Sequence, residues 1–490
     1  MEDRRAGETE PQKWAMTRDG LVSELKKESS IAAPMVAVSV LQYLLQVVSL
    51  VIVGHLGTLP LSSVAIATSL TNVTGFSLLS GMVGGLETLC GQAYGAKEYK
   101  KLGTYTYSAI ITLLILCPPI CLLWFFMDRF LVFAGQDEAI AHQARDFSMW
   151  LIPGLFGAAI LKPTTRFLQT QSVIFPMLLS SSLVLCFHVV ACWTLVYKLG
   201  IGYVGAAMAI SFSTWLNVLL LACYVRLSPV CERTRGDLTG EAFRGVKQFF
   251  RLGISSALMV CLKWWSMELL ILLSGLLSNP KLETSVLSIC LSISTLHFTV
   301  PYGLGAAVST RVSNELGGGR PQLARTAVVV ATFLAFTESV IVIAVLFFCR
   351  RFVGYAFSRD AHIVHYVATM IPLLCLSILT DSFQAILSGV ARGCGWQHVG
   401  AYINLGSFYL VGLPLGCVLG FVAHLKGKGL WVGIVAGSLV QAASLSIFTA
   451  CLDWEKQVSS WESNMSNFTL VLLAFIFMVQ FEVLSLIVML

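Results

Sequence analysis

Apolar runs of about twenty residues, each closed by a short cluster of charged or turn-forming residues, recur along the chain from about residue 31. They fall at 31–53, 62–86, 104–127, 147–170, 174–197, 203–225, 249–275, 284–310, 324–348, 363–389, 396–421 and 429–451. A helix needs about 20 such residues to cross a hydrocarbon layer ~30 Å thick, so the pattern predicts twelve membrane spans. A further apolar run covers about 468–490 and predicts a possible thirteenth. Most of these windows lack the polar face that a soluble helix would show. The expected fold class is therefore an all-α polytopic membrane protein.

The placement of basic residues tests that count. With the N-terminus in the cytosol, the cytosolic segments hold 22 of the 32 Lys and Arg residues, the opposite segments hold nine, and Lys263 lies inside a span. Such a bias fits twelve spans with Lys456 returned to the cytosol. The first 30 residues are polar and lack the apolar core and cleavage site of a signal peptide, so they are expected to stay cytosolic.

Composition changes the picture in three ways. Charged residues make up 12% of the chain, about half of what soluble domains carry. The net charge of +6 is spread over loops, which excludes a nucleic-acid footprint. The 14 Cys residues show neither a CxxC pair nor zinc-ligand spacing, and Cys90, Cys117, Cys186, Cys223 and Cys290 sit inside apolar runs. They read as free, buried, hydrophobe-like cysteines, and no metal or cofactor is expected.

The chain also repeats itself. "GHLGTLPLSSVAIATSL" from Gly54 parallels "GLLSNPKLETSVLSICL" from Gly275, and "LETLCGQAYGAKEYKKL" from Leu86 parallels "AVSTRVSNELGGGRPQL" from Ala307. "GYVGAAMAI" from Gly202 parallels "GLWVGIVAG" from Gly429. Order and near-constant offset predict two six-helix bundles related by a pseudo-twofold along the membrane normal, an architecture recurrent in transporters. The expected organisation is a cytosolic segment 1–30, an N-lobe 31–226, a cytosolic linker 227–248, a C-lobe 249–456 and an atypical tail 457–490.

Ionisable groups inside spans are costly, about 2.5–3.5 kcal/mol each on insertion scales, and mark functional sites. The candidates are Glu87, Lys263, Glu268, Glu338 and Asp381. Glu87 closes the second span, where it caps or gates. Glu338 stands alone and reads as a structural carboxyl. Glu268 and Asp381 belong to the second half, and their repeat mates fall near Gln46 and Ala158, neither of which ionises. A buried carboxyl that binds either a proton or a cation is the minimum that antiport requires; the alternative is a permanently protonated Glu268 that only donates a hydrogen bond. Trp264, Trp265, Phe298 and Tyr302 offer π faces to a cation, or else pack. His297 is either a second titrating group or a satisfied core histidine.

At these residues the chain resembles a known family. "VGHLGTLPLSSVAIA", "LETLCGQAYGA", "SNPKLETSVLSICL", "STRVSNELGGG", "LSGVARGCGWQHVGAYINLGSFY" and "KGKGLWVGI" together resemble the multidrug and toxic compound extrusion (MATE) family, plant DETOX subfamily, over about residues 25–456. The resemblance implies alternating access and proton-driven export of organic cations, xenobiotics or secondary metabolites, with protons as coupling ion and no other cofactor. It implies an acidic pair at Glu268 and Asp381, a bend at Pro34, and Gln46 and Asn404 among the polar cavity residues beside Trp265, His297, Phe298 and Tyr302. It also implies a multi-pass protein of the plasma or vacuolar membrane, a monomer whose partners are small organic substrates and lipid, and not an enzyme.

Three departures stand out. Bacterial members carry Asp in a DTVMVG-like motif where "SLVIVG" has Ser49; plant relatives usually carry Glu where Lys263 stands; and "VSSWESNMSNFTLVLLAFIFMVQFEVLSLIVML", with sequons at Asn464 and Asn467, replaces a short basic end. The competing readings are a sodium-coupled exporter, a lipid-type flippase of the same fold group, which would favour a basic groove, and an embedded enzyme, for which no clustered nucleophile or ligand set appears.

Overall fold

A computed structural model describes residues 18–460 apart from 134, 358 and 359. The run at 468–490 and the two sequons lie outside the described residues. Twelve long helices carry the fold: α1 (Arg18–Gly54), α2 (Thr58–Gly95), α3 (Tyr99–Phe125), α4 (Glu138–Thr170), α5 (Phe175–Lys198), α6 (Tyr203–Leu227), α7 (Gly240–Ser274), α8 (Pro280–Gly317), α9 (Pro321–Ala356), α10 (Ala361–Cys394), α11 (Gln397–Val422) and α12 (Lys426–Ala450). Eleven of them are long and apolar enough to cross a membrane. The twelfth, α4, has the length but carries Arg145, Asp146, Lys162 and Arg166. Of these, Lys162 and Arg166 line the cavity described below.

Helices α1–α6 form one bundle and α7–α12 a second, as the internal repeat predicts. They meet where α1 packs on α8, α2 on α7 and α8, and α3 on α7. The connection between the bundles is shorter than the expected linker, because α6 ends at Leu227 and α7 already begins at Gly240, leaving 228–239 with one tight turn at Pro229–Cys231. Helix α1 runs unbroken through Pro34. Proline tolerates this place only because losing one backbone hydrogen bond leaves the rest of the ladder intact.

Burial runs opposite to that of a soluble bundle. On α5 the residues Phe175, Leu179, Leu183, Phe187 and Val190 form an exposed stripe at helical spacing, the face that lipid covers. Cys186 and Cys223 are exposed on such outer faces, which corrects the expectation that they are buried; the other three cysteines singled out are buried. Helices α11 and α12 approach through small residues at four-residue spacing: a Cβ on Gly433 would overlap the backbone of Gly416. Where lipid is as apolar as leucine, such close backbone packing replaces the hydrophobic effect as glue.

Candidate functional site

Three groups of buried polar residues bear on the site. The first joins the bundles at one end of the molecule. Glu87, near the C-terminal end of α2, is fully buried and lies 3.0 Å from Arg166 of α4 and 2.8 Å from Arg392 of α10. Helix α10 stops here because Gly395 takes a left-handed φ of 83°, a conformation that glycine adopts without steric cost. The carbonyls freed at that end are used across the bundle boundary: Thr88 donates to the Arg392 carbonyl, and Gln92 donates to that of Gly393 at 3.1 Å. Arg311 of α8 holds Glu24 of α1 through two bonds of 2.7 and 3.0 Å. Gln169 donates to the Ala306 carbonyl at 3.0 Å, and Asn314 to that of Thr170 at 3.0 Å. Glycines permit this closeness, since a Cβ on Gly95 would overlap the Asn314 carbonyl. Glu87 is thus the shared anion of a bundle-to-bundle seal, which favours gating over capping.

The second group lies inside the C-terminal bundle. Lys263 of α7 donates to Asp381 of α10 at 2.7 Å and to Gln384 at 2.8 Å, and Gln384 donates to Ser388 at 2.8 Å. The ammonium also sits 4.7 Å from the Phe298 ring centre, a cation–π distance. Phe298 stands edge-on to Trp264 with centroids 5.6 Å apart, and 6.2 Å from Tyr302 one turn along α8. The aromatic group expected to face a cation is assembled, and the cation that it faces is the protein's own lysine. Trp265 points elsewhere: it is buried, and its indole N–H has no partner among the described residues.

Glu268 is not brought to Asp381 by any bond. Its Oε2 accepts from Ser69 of α2 at 3.2 Å, across the bundle boundary. Ser69 lies just before a widened turn of α2 at Asn72–Phe76, the kind of helix irregularity that clusters at functional sites. Glu338 does not stand alone: His297 approaches one of its oxygens at 3.0 Å and Ser382 donates to the other at 3.2 Å. His297 is therefore a partnered histidine joined to an acid that the sequence leaves isolated. Asn404 is fully buried in the second bundle, donating to the Met259 carbonyl and accepting from Gln441, both at 2.5 Å. It ties α11 to α7 and α12 and is not exposed to a cleft.

The third group lines a cavity of about 70 Å³ between the bundles. Ser39 and Gln42 of α1, Ser80 of α2, Lys162, Thr165 and Arg166 of α4, and Tyr302 of α8 contribute its polar surface. Gln46 stands exposed one turn further along the same stripe of α1 as Gln42. Arg166 belongs to this cavity and to the seal, because it donates to Tyr302 at 2.7 Å and also binds Glu87. The distribution of basic residues counts Lys162 and Arg166 with the cytosolic groups, although both fall inside the span expected at 147–170. Their four-residue spacing, which sets both on one helix face, was the available signal.

The comparisons with known proteins agree with this architecture. The MatE family model matches residues 34–194 and 255–418. Protein DETOXIFICATION 1 of Arabidopsis thaliana is 54% identical over 437 residues, covering 89% of this chain and 92% of the relative. Protein DETOXIFICATION 3 of the same plant is 53% identical over 442 residues, 90% of this chain and 93% of the relative. The crystal structure of the eukaryotic MATE transporter AtDTX14 superposes with a TM-score of 0.88 at 49% identity, covering 91% of this chain and all of that one. An outward-facing multidrug resistance MATE family transporter shares the fold at 19% identity, with a TM-score of 0.79 over 92% of this chain and all of that one. The chain belongs to the MATE family of integral, multi-pass membrane transporters, which are not enzymes.

Proposed function

We propose that this chain exports small organic compounds, xenobiotics or secondary metabolites, in exchange for protons by alternating access. One observation carries the reading: bonds between the bundles crowd one end of the molecule around Glu87, while Glu268 and the Lys263–Asp381 pair lie deeper in the fold. A seal at one end with ionisable groups beyond it is the arrangement of a carrier caught open toward the other side. Glu268, held by one hydroxyl, is the exchangeable proton site. Asp381 already holds a cation, so a proton arriving there must first displace Lys263. Organic cations, the substrates that the resemblance implies, then meet Glu268 as the acid not matched by a basic side chain. The N-terminus lies on the cytosolic side in this reading, and the seal faces the cytosol.

The test is flux of ethidium in proteoliposomes under an imposed proton gradient and then a sodium gradient. Proton-driven flux that disappears in Glu268→Gln is the expected result. Sodium-driven flux, or a variant as active as wild type, overturns the proposal.

A further inference from the structure

The cavity between the bundles has the wrong polarity for a site that takes only cations. Its lining contains no carboxylate. It contains two basic side chains one helical turn apart, Lys162 and Arg166. Arg166 is committed, with its guanidinium donating to Gln169 and Tyr302 and paired with Glu87. Lys162 is half-buried, and no hydrogen bond or ion pair holds its ammonium among the described residues. Glu87, the acid that Arg166 binds, already faces two guanidinium groups.

Each uncommitted polar group of the lining can donate a hydrogen bond to an anion. The Lys162 ammonium is the first. The Tyr302 hydroxyl accepts from Arg166 at 2.7 Å, which leaves its own O–H free to donate. The Gln42 amide, facing the same cavity from α1, supplies a third donor. The hydroxyls of Ser39, Ser80 and Thr165, by contrast, are satisfied on their own helices by the carbonyls of Met35 at 3.0 Å, Phe76 at 2.6 Å and Leu161 at 2.8 Å. The space of about 70 Å³ suits a carboxylate head group with its first atoms, the rest of the molecule extending out of it.

The C-terminal bundle points the same way. Asp381, the acid that would otherwise attract a cation, is neutralised by Lys263 at 2.7 Å. Both lysines occupy places where their charge favours anions over cations, one by filling an acid's coordination and one by standing open in a cavity.

We propose that the cavity formed by Gln42, Lys162 and Tyr302 binds the carboxylate of an exported organic acid or zwitterion, with Lys162 as the residue that selects the negative charge. The proposal rests on the export reading above and names the substrate class for it. Helices α1, α4 and α8 supply one donor each and come from both bundles, so the head group bridges the two halves that must rock.

The experiment is equilibrium binding to the purified full-length protein in nanodiscs, read by intrinsic tryptophan fluorescence, with 4-hydroxybenzoate and its uncharged amide as probes. Wild type is expected to bind the acid at least about tenfold more tightly than the amide, the scale of one charge-assisted hydrogen bond. Lys162→Gln should lose that preference, and Lys162→Arg should keep most of it, which separates loss of charge from loss of fold. Equal affinity for acid and amide in wild type, no binding of either, or a preference that survives in Lys162→Gln overturns the assignment. Flux of the same probes under a proton gradient is scored separately. Binding that follows the expected pattern without proton-driven flux keeps the anion site and sinks the coupling; flux of ethidium without a carboxylate preference does the reverse.

Discussion

The two bundles repeat one architecture but fill their interiors differently. In the first, His188 of α5 links Ser49 of α1 at 3.0 Å to Ser213 of α6 at 2.9 Å, a buried chain of two hydroxyls and one imidazole. In the second, Lys263 binds Asp381 at 2.7 Å, and His297 faces Glu338 at 3.0 Å. The first of these is a hydrogen-bonded network without a carboxylate and the second is built on charge, while the first bundle's own ion pair, Glu87–Arg166, lies at the seal. Neutral networks hold helices together at little electrostatic cost, whereas buried ion pairs are expensive to desolvate and gain little net stability. The contrast supports the division proposed above, in which this network of the first bundle is scaffold and the proton is exchanged in the second.

That contrast can be broken most violently at Asp381. Asp381→Asn strands the Lys263 ammonium beside an amide, and the expected loss is about 3–5 kcal/mol of stability, read as a fall in the thermal unfolding midpoint of the purified protein. Should the midpoint stay put, the pair carries no buried charge to speak of. The second prediction sharpens the comparison by removing the lysine–aspartate pair from the second bundle. Lys263→Met combined with Asp381→Leu removes both charges together and is expected to restore stability to within about 1 kcal/mol of wild type or better, while proton-driven flux falls. A double variant as unstable as Asp381→Asn alone would show that packing, not charge, sets the cost. The third and smallest effect is in the scaffold. His188→Gln is expected to cost about 1 kcal/mol, the net worth of a hydrogen bond partly replaced by the amide, and to leave the ratio of protons to substrate unchanged. A shifted ratio would place coupling in the first bundle as well.

The sequence carries most of the fold because lipid imposes a coarse rule: twenty apolar residues make a span, and a repeat of six spans makes two bundles. Glu268 is conspicuous for the same reason, as one acid in a run of leucines. What the sequence hides is pairing. Glu87 and Arg392 meet across 305 positions, and Lys263 and Asp381 across 118; no local pattern joins them. Glu338 reads as solitary because its partner His297 lies on another helix, 41 residues earlier. Asn404 and Gln42 carry the same signal, a polar side chain in an apolar helix, yet one is sealed inside a bundle and the other faces the cleft. Lys162 escapes notice although it falls within the span expected at 147–170, because a lysine near the cytosolic end of a span counts toward the charge bias and nothing local shows that it faces a cavity.

The central claim is that the proton is carried in the second bundle, at Glu268. The most direct measurement is proton release on adding ethidium to weakly buffered purified protein, followed with a pH-indicating dye. Wild type and Ser49→Ala are predicted to release protons alike, and Glu268→Gln to release none while still binding ethidium. Equal release from Glu268→Gln and wild type would contradict the account and move the proton to another group.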